Sequence, residues 1–334
     1  MPHRPGPFPQ SDARIVAPSV LSSLSTWLAN RAVGSQRFLA PRVPRIAEFW
    51  CEEVRQAASA PDACVFLAGD EVGPRGIALY CPLPWETGFF GRRSAAIRSV
   101  VLSEEAAEST ALALVSSIVE HARREEVSFL STRVYADQIP SIYALQSAGF
   151  YLTDCVLDYV IELEEPIAGQ TQDGYVIRPA RPEDLQGTVR LVERSFEHHF
   201  GRFHSDPKIS RAEAARFYPR WIEDSFRGYA DTIVVAEHSK SIVGATLWKR
   251  TSALEFQYGL PVGHYSLGTV APEHSGRGLF KRLTLEGLRT FEGTAATFVE
   301  GPTHVLNLPV QQAYTRMGFR IADARYAFHL WLDR

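Results

Sequence analysis

Cysteine is scarce in this chain and unpaired. Only four of its 334 residues are cysteines, Cys51, Cys64, Cys81 and Cys155, and none forms a Cys-x-x-Cys pair. That pattern speaks against a zinc site or a disulfide framework. It fits buried free thiols in a reducing cytoplasm, with no metal bound. Nor does any run approach the ~20 apolar residues of a membrane span. The net charge of −3 shows no strong excess of either sign, so nothing global points to nucleic acid or a membrane surface. The opening Met1–Pro9 lacks the apolar core of a signal peptide and reads as a flexible lead-in, with a first helix before residue 40. What is present is ordinary for a globular protein: 45% hydrophobic and 22% charged residues, in a chain long enough for two domains.

A polar stretch from Glu164-Glu165-Pro166 to Asp173-Gly174 separates two halves, suggesting domains at 41–165 and 174–334. Apolar periodicity predicts a similar order of elements in each. The first half offers strands at 64–68, 78–81 and 96–102, a helix at 104–126, a strand at 128–134, a helix near 139–148 and a strand at 155–163. The second offers a strand at 175–179 and a helix opened by Pro182-Glu183-Asp184. Strands follow at 232–237, 242–250 and 264–270, then a helix from about 278 to 291. A strand at 297–300, a helix at 309–317 and a strand at 324–332 complete it. An offset of about 169 residues superposes the halves without a gap, Gly149-Phe150 falling on Gly318-Phe319. Alternating strands and helices argue for two α/β domains; few residues match at that offset, so chance similarity stays open beside duplication, which the shared element order favours.

The most informative segment runs from Tyr265 to Leu283: a strand, Pro272, the turn Ser275-Gly276-Arg277-Gly278, then an amphipathic helix opened by Leu279 and Phe280. A helix start presents unpaired N–H groups and partial positive charge. Glycines allow close backbone approach and φ > 0. Together they suit a pyrophosphate, with Arg277, Lys281 and Arg282 adding charge. Taken alone, Gly-x-Gly before a helix is also what a tight connection looks like. A P-loop is excluded, since no Gly-Lys-Ser/Thr follows.

About thirty residues later comes Asn307-Leu-Pro-Val-Gln-Gln-Ala313-Tyr314-Thr-Arg-Met-Gly318-Phe319. With Val270-Ala-Pro272 and the Gly276–Gly278 turn, this resembles the Gcn5-related N-acetyltransferase (GNAT) family. Ser275 stands where that family usually has Gln or Arg, and Phe280 where it usually has Gly or Ala. The segments Gly201-Arg-Phe-His204-Ser-Asp206-Pro, Tyr218–Ser225, Gly228–Asp231, Trp85–Gly91 and Phe328–Trp331 resemble its TDP-fucosamine acetyltransferase branch. The resemblance implies tandem α/β (α+β) domains, each a mixed, mainly antiparallel twisted sheet flanked by helices. It implies acetyl-CoA, or another short acyl-CoA, as donor and a small-molecule amine as acceptor, an amino-sugar nucleotide first. An antibiotic, an amino acid, a thiol precursor or a silent acyl-CoA-binding role stays open.

The resemblance places the acyl donor along Leu267, Thr269 and Val270, at Ser275, Gly276, Arg277, Gly278, Leu279 and Phe280, and at Asn307. The Val270 N–H would polarise the thioester carbonyl. Tyr314 would give the leaving thiolate its proton, or else is a packed aromatic. Asn307 is equally an N-cap. Glu300 is the first choice of general base, ahead of Glu255, His264 and His304. His204, Asp206, Glu255 and His264 are placed at the acceptor. In the first half Leu145 falls on Tyr314, and Ala107 and Ser109 fall on the glycines, among acids. That half keeps the plan without the chemistry. Exposed edge strands leave a homodimer open.

Overall fold

The computed structural model describes residues 13–31, 34–105, 107–163, 174–197 and 199–332. Residues 1–12 of the lead-in and the stretch 164–173 between the halves lie outside the described residues. Two compact units divide the chain: residues 1–155 with 325–334, and residues 156–324. The division falls inside two strands, so each unit's sheet is completed by a strand segment that follows the other half of the sequence.

The first unit holds β1 (Ala13–Val16), β2 (Cys64–Gly69), β3 (Pro74–Pro82), β4 (Ser94–Leu102) and β5 (Phe129–Tyr135). They pair in that order, and residues 325–331 of a late strand close on β5. Among the described residues of this unit, β4–β5 is the parallel pair. Short helices α1 (Val20–Ser23) and α2 (Ser25–Ala29) and the longer α3 (Ile46–Ala58) pack on one apolar cluster with Leu67, Ile77 and Leu79. Helix α4 (Pro84–Phe90) precedes β4, α5 (Ala107–Arg124) links β4 to β5, and α6 (Ile139–Ser147) follows β5. The stripe Ala111, Leu114, Val115, Ile118, Val119 and Ala122 buries one face of α5 against the sheet, the spacing of an amphipathic helix.

The second unit begins within β6 (Tyr151–Glu162) and adds β7 (Val176–Pro179), α7 (Leu185–Ser195), α8 (Arg211–Ala215), α9 (Phe217–Asp224), β8 (Thr232–His238), β9 (Ser241–Lys249) and α10 (Ala253–Gln257). Next come β10 (Val262–Val270), α11 (Leu279–Arg289), β11 (Phe298–His304), α12 (Leu308–Arg316) and β12 (Arg320–Trp331). The sheet order is β6-β11-β10-β9-β8-β7, again with one parallel pair, β10–β11. Each unit is thus a mixed, mainly antiparallel sheet flanked by helices, as expected.

The repeat is close in backbone detail. β5, α6 and β6 begin at 129, 139 and 151; β11, α12 and β12 begin at 298, 308 and 320, each 169 residues on. Gly149 and Gly318 end their helices at φ 91° and 94°. Three features escape the sequence pattern. β6 starts at Tyr151, because pairing carries it through a polar stretch. The Pro182 turn is a single 3₁₀ turn ahead of α7. The short helices α8, α9 and α10 show no long periodicity to read.

Candidate active site

The site begins where two parallel strands part. β10 pairs with β11 only at Val262↔Phe298, Gly263↔Val299 and His264↔Glu300. Past His264, β10 stays on β9 as far as Val270↔Gly244, with a bulge between Tyr265 and Leu267. The result is a fork between β10 and β11. The Ala271 N–H donates to the Val243 carbonyl on β9 at 2.8 Å. Backbone groups alternate along a strand, so those of Val270 and Gly268 point into the fork. Thr269 and Leu267 instead turn their backbones to β9, and their side chains are buried.

At the tip of β10 the chain makes a 3₁₀ turn (Pro272–His274) and then the glycine turn. Gly276 and Gly278 both have φ of 73°, and nothing lies within 4 Å of where a Cβ on either would stand. Their requirement for glycine is therefore conformational, and the space over them is open. Gly278 caps α11 without any side-chain cap, so the first amides of α11 face outward. Ser275 donates its hydroxyl to the Ala271 carbonyl at 3.3 Å, inside the turn. Arg277 is exposed. Arg282 is buried, its guanidinium 5.8 Å from the Tyr175 ring. Leu279 is buried under α11. The turn is moored twice, by Arg194–Glu273 at 2.9 Å and by the Tyr175 hydroxyl with His274 Nδ1 at 2.8 Å. The first pair is exposed, so solvent screens it and it contributes little.

Tyr314 stands on α12 beneath the fork, wholly buried. Its ring stacks on Phe319 at 4.5 Å and meets Tyr159, Tyr265 and Phe280 at 5.4, 6.0 and 6.0 Å. A Cβ on Gly301 would stand 2.9 Å from its Oη, so the phenol lies against the first residue of β11 past the last parallel pair. The hydroxyl has no hydrogen-bond partner among the described residues. Tyr265 lies close enough to interact electrostatically, without hydrogen-bond geometry. Burial, and then Tyr265, hold Tyr314 well above the usual phenol range, so it is neutral and can only donate a proton. Phe280 packs against the core, its ring 3.3 Å from where a Cβ on Gly268 would be. Asn307 occupies the N-cap position of α12 but makes no cap; its Nδ2 donates to Thr303 Oγ1 at 3.1 Å.

Three of the candidate residues come together. His264 Nδ1 meets Glu300 Oε1 at 2.8 Å, and its Nε2 meets Glu255 Oε1 at 2.8 Å. Glu255 is buried, fixed by the capping box of α10 in which its Oε2 accepts the Ser252 N–H at 2.6 Å. Burial alone would lower the imidazole pKa, but bonds to both carboxylates outweigh it and raise it to about 10. Glu255 is held below its usual range because His264 overcomes the cost of burial. A charged His264 carries no free lone pair, which removes it as a base. Neighbouring residues on a strand point to opposite faces. Glu300 and the Gly301–Tyr314 contact therefore flank the fork from opposite sides of the sheet.

His204 and Asp206 belong to a separate cluster on the loop after α7. His204 packs at 5.5 Å from His199 and 5.9 Å from Tyr218, and Asp206 accepts the Lys208 N–H at 2.9 Å. Burial holds His199 down at about 3 and lowers His204 as well. His304 meets Phe200 at 4.7 Å and accepts the Leu306 N–H at 2.9 Å. Gly268, Gly301 and Tyr265 shape the fork and were not singled out by sequence.

No protein-family model matches the chain. Its fold matches a Gcn5-related N-acetyltransferase from Sphaerobacter thermophilus, 16% identical with a TM-score of 0.63 over 98% of each chain. It also matches a tandem GNAT protein from the clavulanic acid biosynthesis pathway, 15% identical with a TM-score of 0.60 over 96% of this chain and 98% of that one. The chain has the tandem GNAT fold. Among curated proteins it is similar to the spore coat polysaccharide biosynthesis protein SpsD of Bacillus subtilis (strain 168), 22% identical over 77% of this chain and 84% of that protein. It is similar too to a dTDP-fucosamine acetyltransferase of Escherichia coli O6:H1, 25% identical over 76% of this chain and 96% of that protein.

Proposed function

We infer that residues 174–334 carry an acyl-CoA-dependent N-acetyltransferase acting on the amino group of an amino-sugar nucleotide or a similar small amine. The observation that carries this reading is the buried, unpartnered Tyr314 hydroxyl beside the β10–β11 fork. A buried hydroxyl left unpaired costs ~1–3 kcal/mol, and a ligand sulfur in the fork would be its partner. The surroundings fit an acyl-CoA. The Gly276–Gly278 turn and the uncapped start of α11 suit the pyrophosphate, with Ser275, Arg277, Leu279 and Phe280 lining or supporting it. The inward backbone of Gly268 and Val270 suits the pantetheine amides, flanked by Leu267 and Thr269, with Asn307 fixing the start of α12.

A bound acyl-CoA supplies the acyl group as a thioester. The Val270 N–H, pointing into the fork, stabilises developing charge on the carbonyl oxygen. Glu300 faces the acceptor amine and takes its proton, and Tyr314 protonates the sulfur from the other face. The dTDP-fucosamine acetyltransferase supports an amino-sugar nucleotide as acceptor, with His204 and Asp206 ordering the loop that shapes its site.

We assign residues 41–165 to a GNAT-like repeat without a donor site. There β4 and β5 pair at four positions, through Ile97↔Thr132, and Thr132 Oγ1 donates to the Ile97 carbonyl at 2.8 Å. Beyond that pair β4 and β5 part as well, so the assignment draws on the residues beside the fork, with Ala107 and Ser109 in place of the two glycines. Leu145 occupies the place of Tyr314. A second reading, an acyl-CoA-binding module without turnover, draws on Phe280 packed beside Tyr314. Thiol release from acetyl-CoA, assayed against amino-sugar nucleotides, separates the two. Release with an amino sugar is expected. Tight acetyl-CoA binding without release for any amine would leave the binding module.

A further inference from the structure

The fork between β10 and β11 has two faces. On one stands the Glu255–His264–Glu300 array; on the other stands a wall of aromatic rings. Each strand meets that wall at a glycine, and the bulge in β10 sets up the first of them. Strand residues two apart share a face. The register shift between Tyr265 and Leu267 adds one residue, so Tyr265 and Gly268 face the same way. A Cβ on Gly268 would overlap the Tyr265 hydroxyl and stand 3.3 Å from the Phe280 ring. Across the fork, a Cβ on Gly301 would stand 2.9 Å from the Tyr314 hydroxyl. Aromatic side chains thus fill both banks to contact. They are backed by further rings. Tyr265 packs edge-on against buried Trp248 at 4.8 Å, and Trp248 donates its Nε1–H to Thr246 Oγ1 at 2.9 Å. Trp248 also fills the space that a Cβ on Gly287 would need. Tyr314 stacks on Phe319 at 4.5 Å. Interiors packed in this way yield little to added volume.

We propose that Tyr265 and Phe280 are specificity-determining residues that restrict the acyl donor to acetyl-CoA, by filling the face of the fork that a longer acyl chain would need. The proposal rests on the acetyltransferase reading and names the donor that site takes. In that reading the Val270 N–H holds the thioester oxygen and Tyr314 stands at the sulfur. The remaining substituent of the carbonyl carbon is the acyl chain, and it lies deeper in the fork, where Gly268 is the next inward-facing residue of β10. A methyl group needs only the strip between Gly268 and Gly301. Further methylenes meet Tyr265, Phe280 and Tyr314 on one face. On the other they would strip water from the charged array, which an apolar chain cannot repay. Discrimination by filled space is the means available, because a longer chain offers no polar group to refuse. Phe280 marks the point in the sequence, since it stands where the resembled family usually has Gly or Ala. At the 169-residue offset the first repeat carries Ala96 and Ala111 in the places of Tyr265 and Phe280, so the wall accompanies the donor site.

The test is calorimetric titration of the full chain with coenzyme A and with its acetyl, propanoyl, butanoyl and hexanoyl thioesters. The readout is binding, so no turnover is needed. For wild type, affinity should fall with chain length, hexanoyl-CoA binding ~10-fold or more weakly than acetyl-CoA. Phe280→Ala takes a ring from the Gly268 bank and should remove most of that difference. Tyr265→Phe removes only the hydroxyl over Gly268 and keeps the ring against Trp248. It should bring propanoyl-CoA level with acetyl-CoA, and it carries the test if Phe280→Ala does not fold. Equal affinity of wild type for all these thioesters would overturn the proposal, as would unchanged discrimination in the folded variants. Either result leaves the acetyltransferase reading standing. A wild type that binds neither coenzyme A nor acetyl-CoA would overturn that reading, and the proposal with it.

Discussion

At Gly301 a missing Cβ sets the position of Tyr314. An added methyl would stand 2.9 Å from the Tyr314 hydroxyl and 3.2 Å from its ring. Gly301→Ala should push the phenol away from the fork and lower kcat at least tenfold, with acetyl-CoA affinity little changed; stopped thiol-release kinetics would show it. Tyr314 itself was legible in sequence, because its spacing from Asn307 and Gly318 is local. Gly301 was not, because its partner lies on another element. Phe280 and Arg282 were likewise read from the turn alone. Their packing on Gly268 and Tyr175 depends on distant residues.

The turn before α11 and the array at the fork make separate predictions for their elements. At Gly278, φ of 73° is left-handed, and an Ala there should cost ~1 kcal/mol of stability through backbone strain alone. Thermal melting checks that cost, and acetyl-CoA KM should rise with it, since the turn then shifts. The array predicts a pH dependence. His264 is raised from 6.5 to about 10 in the folded state. Its stabilisation is therefore complete below about pH 6.5 and is lost as pH rises through 10. Denaturant midpoints for wild type should fall between pH 8 and 10, and those of His264→Gln should fall less. Equal slopes would mean that His264 is not held charged. The array was only partly readable. Ser252-x-x-Glu255 is a capping-box pattern that marks α10, but His264 meets Glu300 through parallel register, which no local pattern announces.

For the molecule as a whole, the order of strands and helices was legible because both halves carry it, and tandem GNAT proteins share it. The strand segments exchanged between the two units were not legible, since β6 and β12 read alike wherever their ends pair. The two repeats differ in the residues beside the parting strands: Tyr314, Gly276 and Gly278 in one, Leu145, Ala107 and Ser109 in the other. Calorimetric titration should therefore find one acetyl-CoA per chain. Two sites of similar affinity would show that the first repeat keeps a donor site.

The role of Tyr314 as proton donor is open to direct test in Tyr314→Phe. Steady-state thiol release from acetyl-CoA, measured with an accepted amine, should show kcat lower by ~10²–10⁴-fold. Acetyl-CoA KM should stay near wild type, and melting should be unchanged or higher, since an unpaired buried hydroxyl is removed. Undiminished kcat in a folded Tyr314→Phe protein would mean that Tyr314 is not the proton donor.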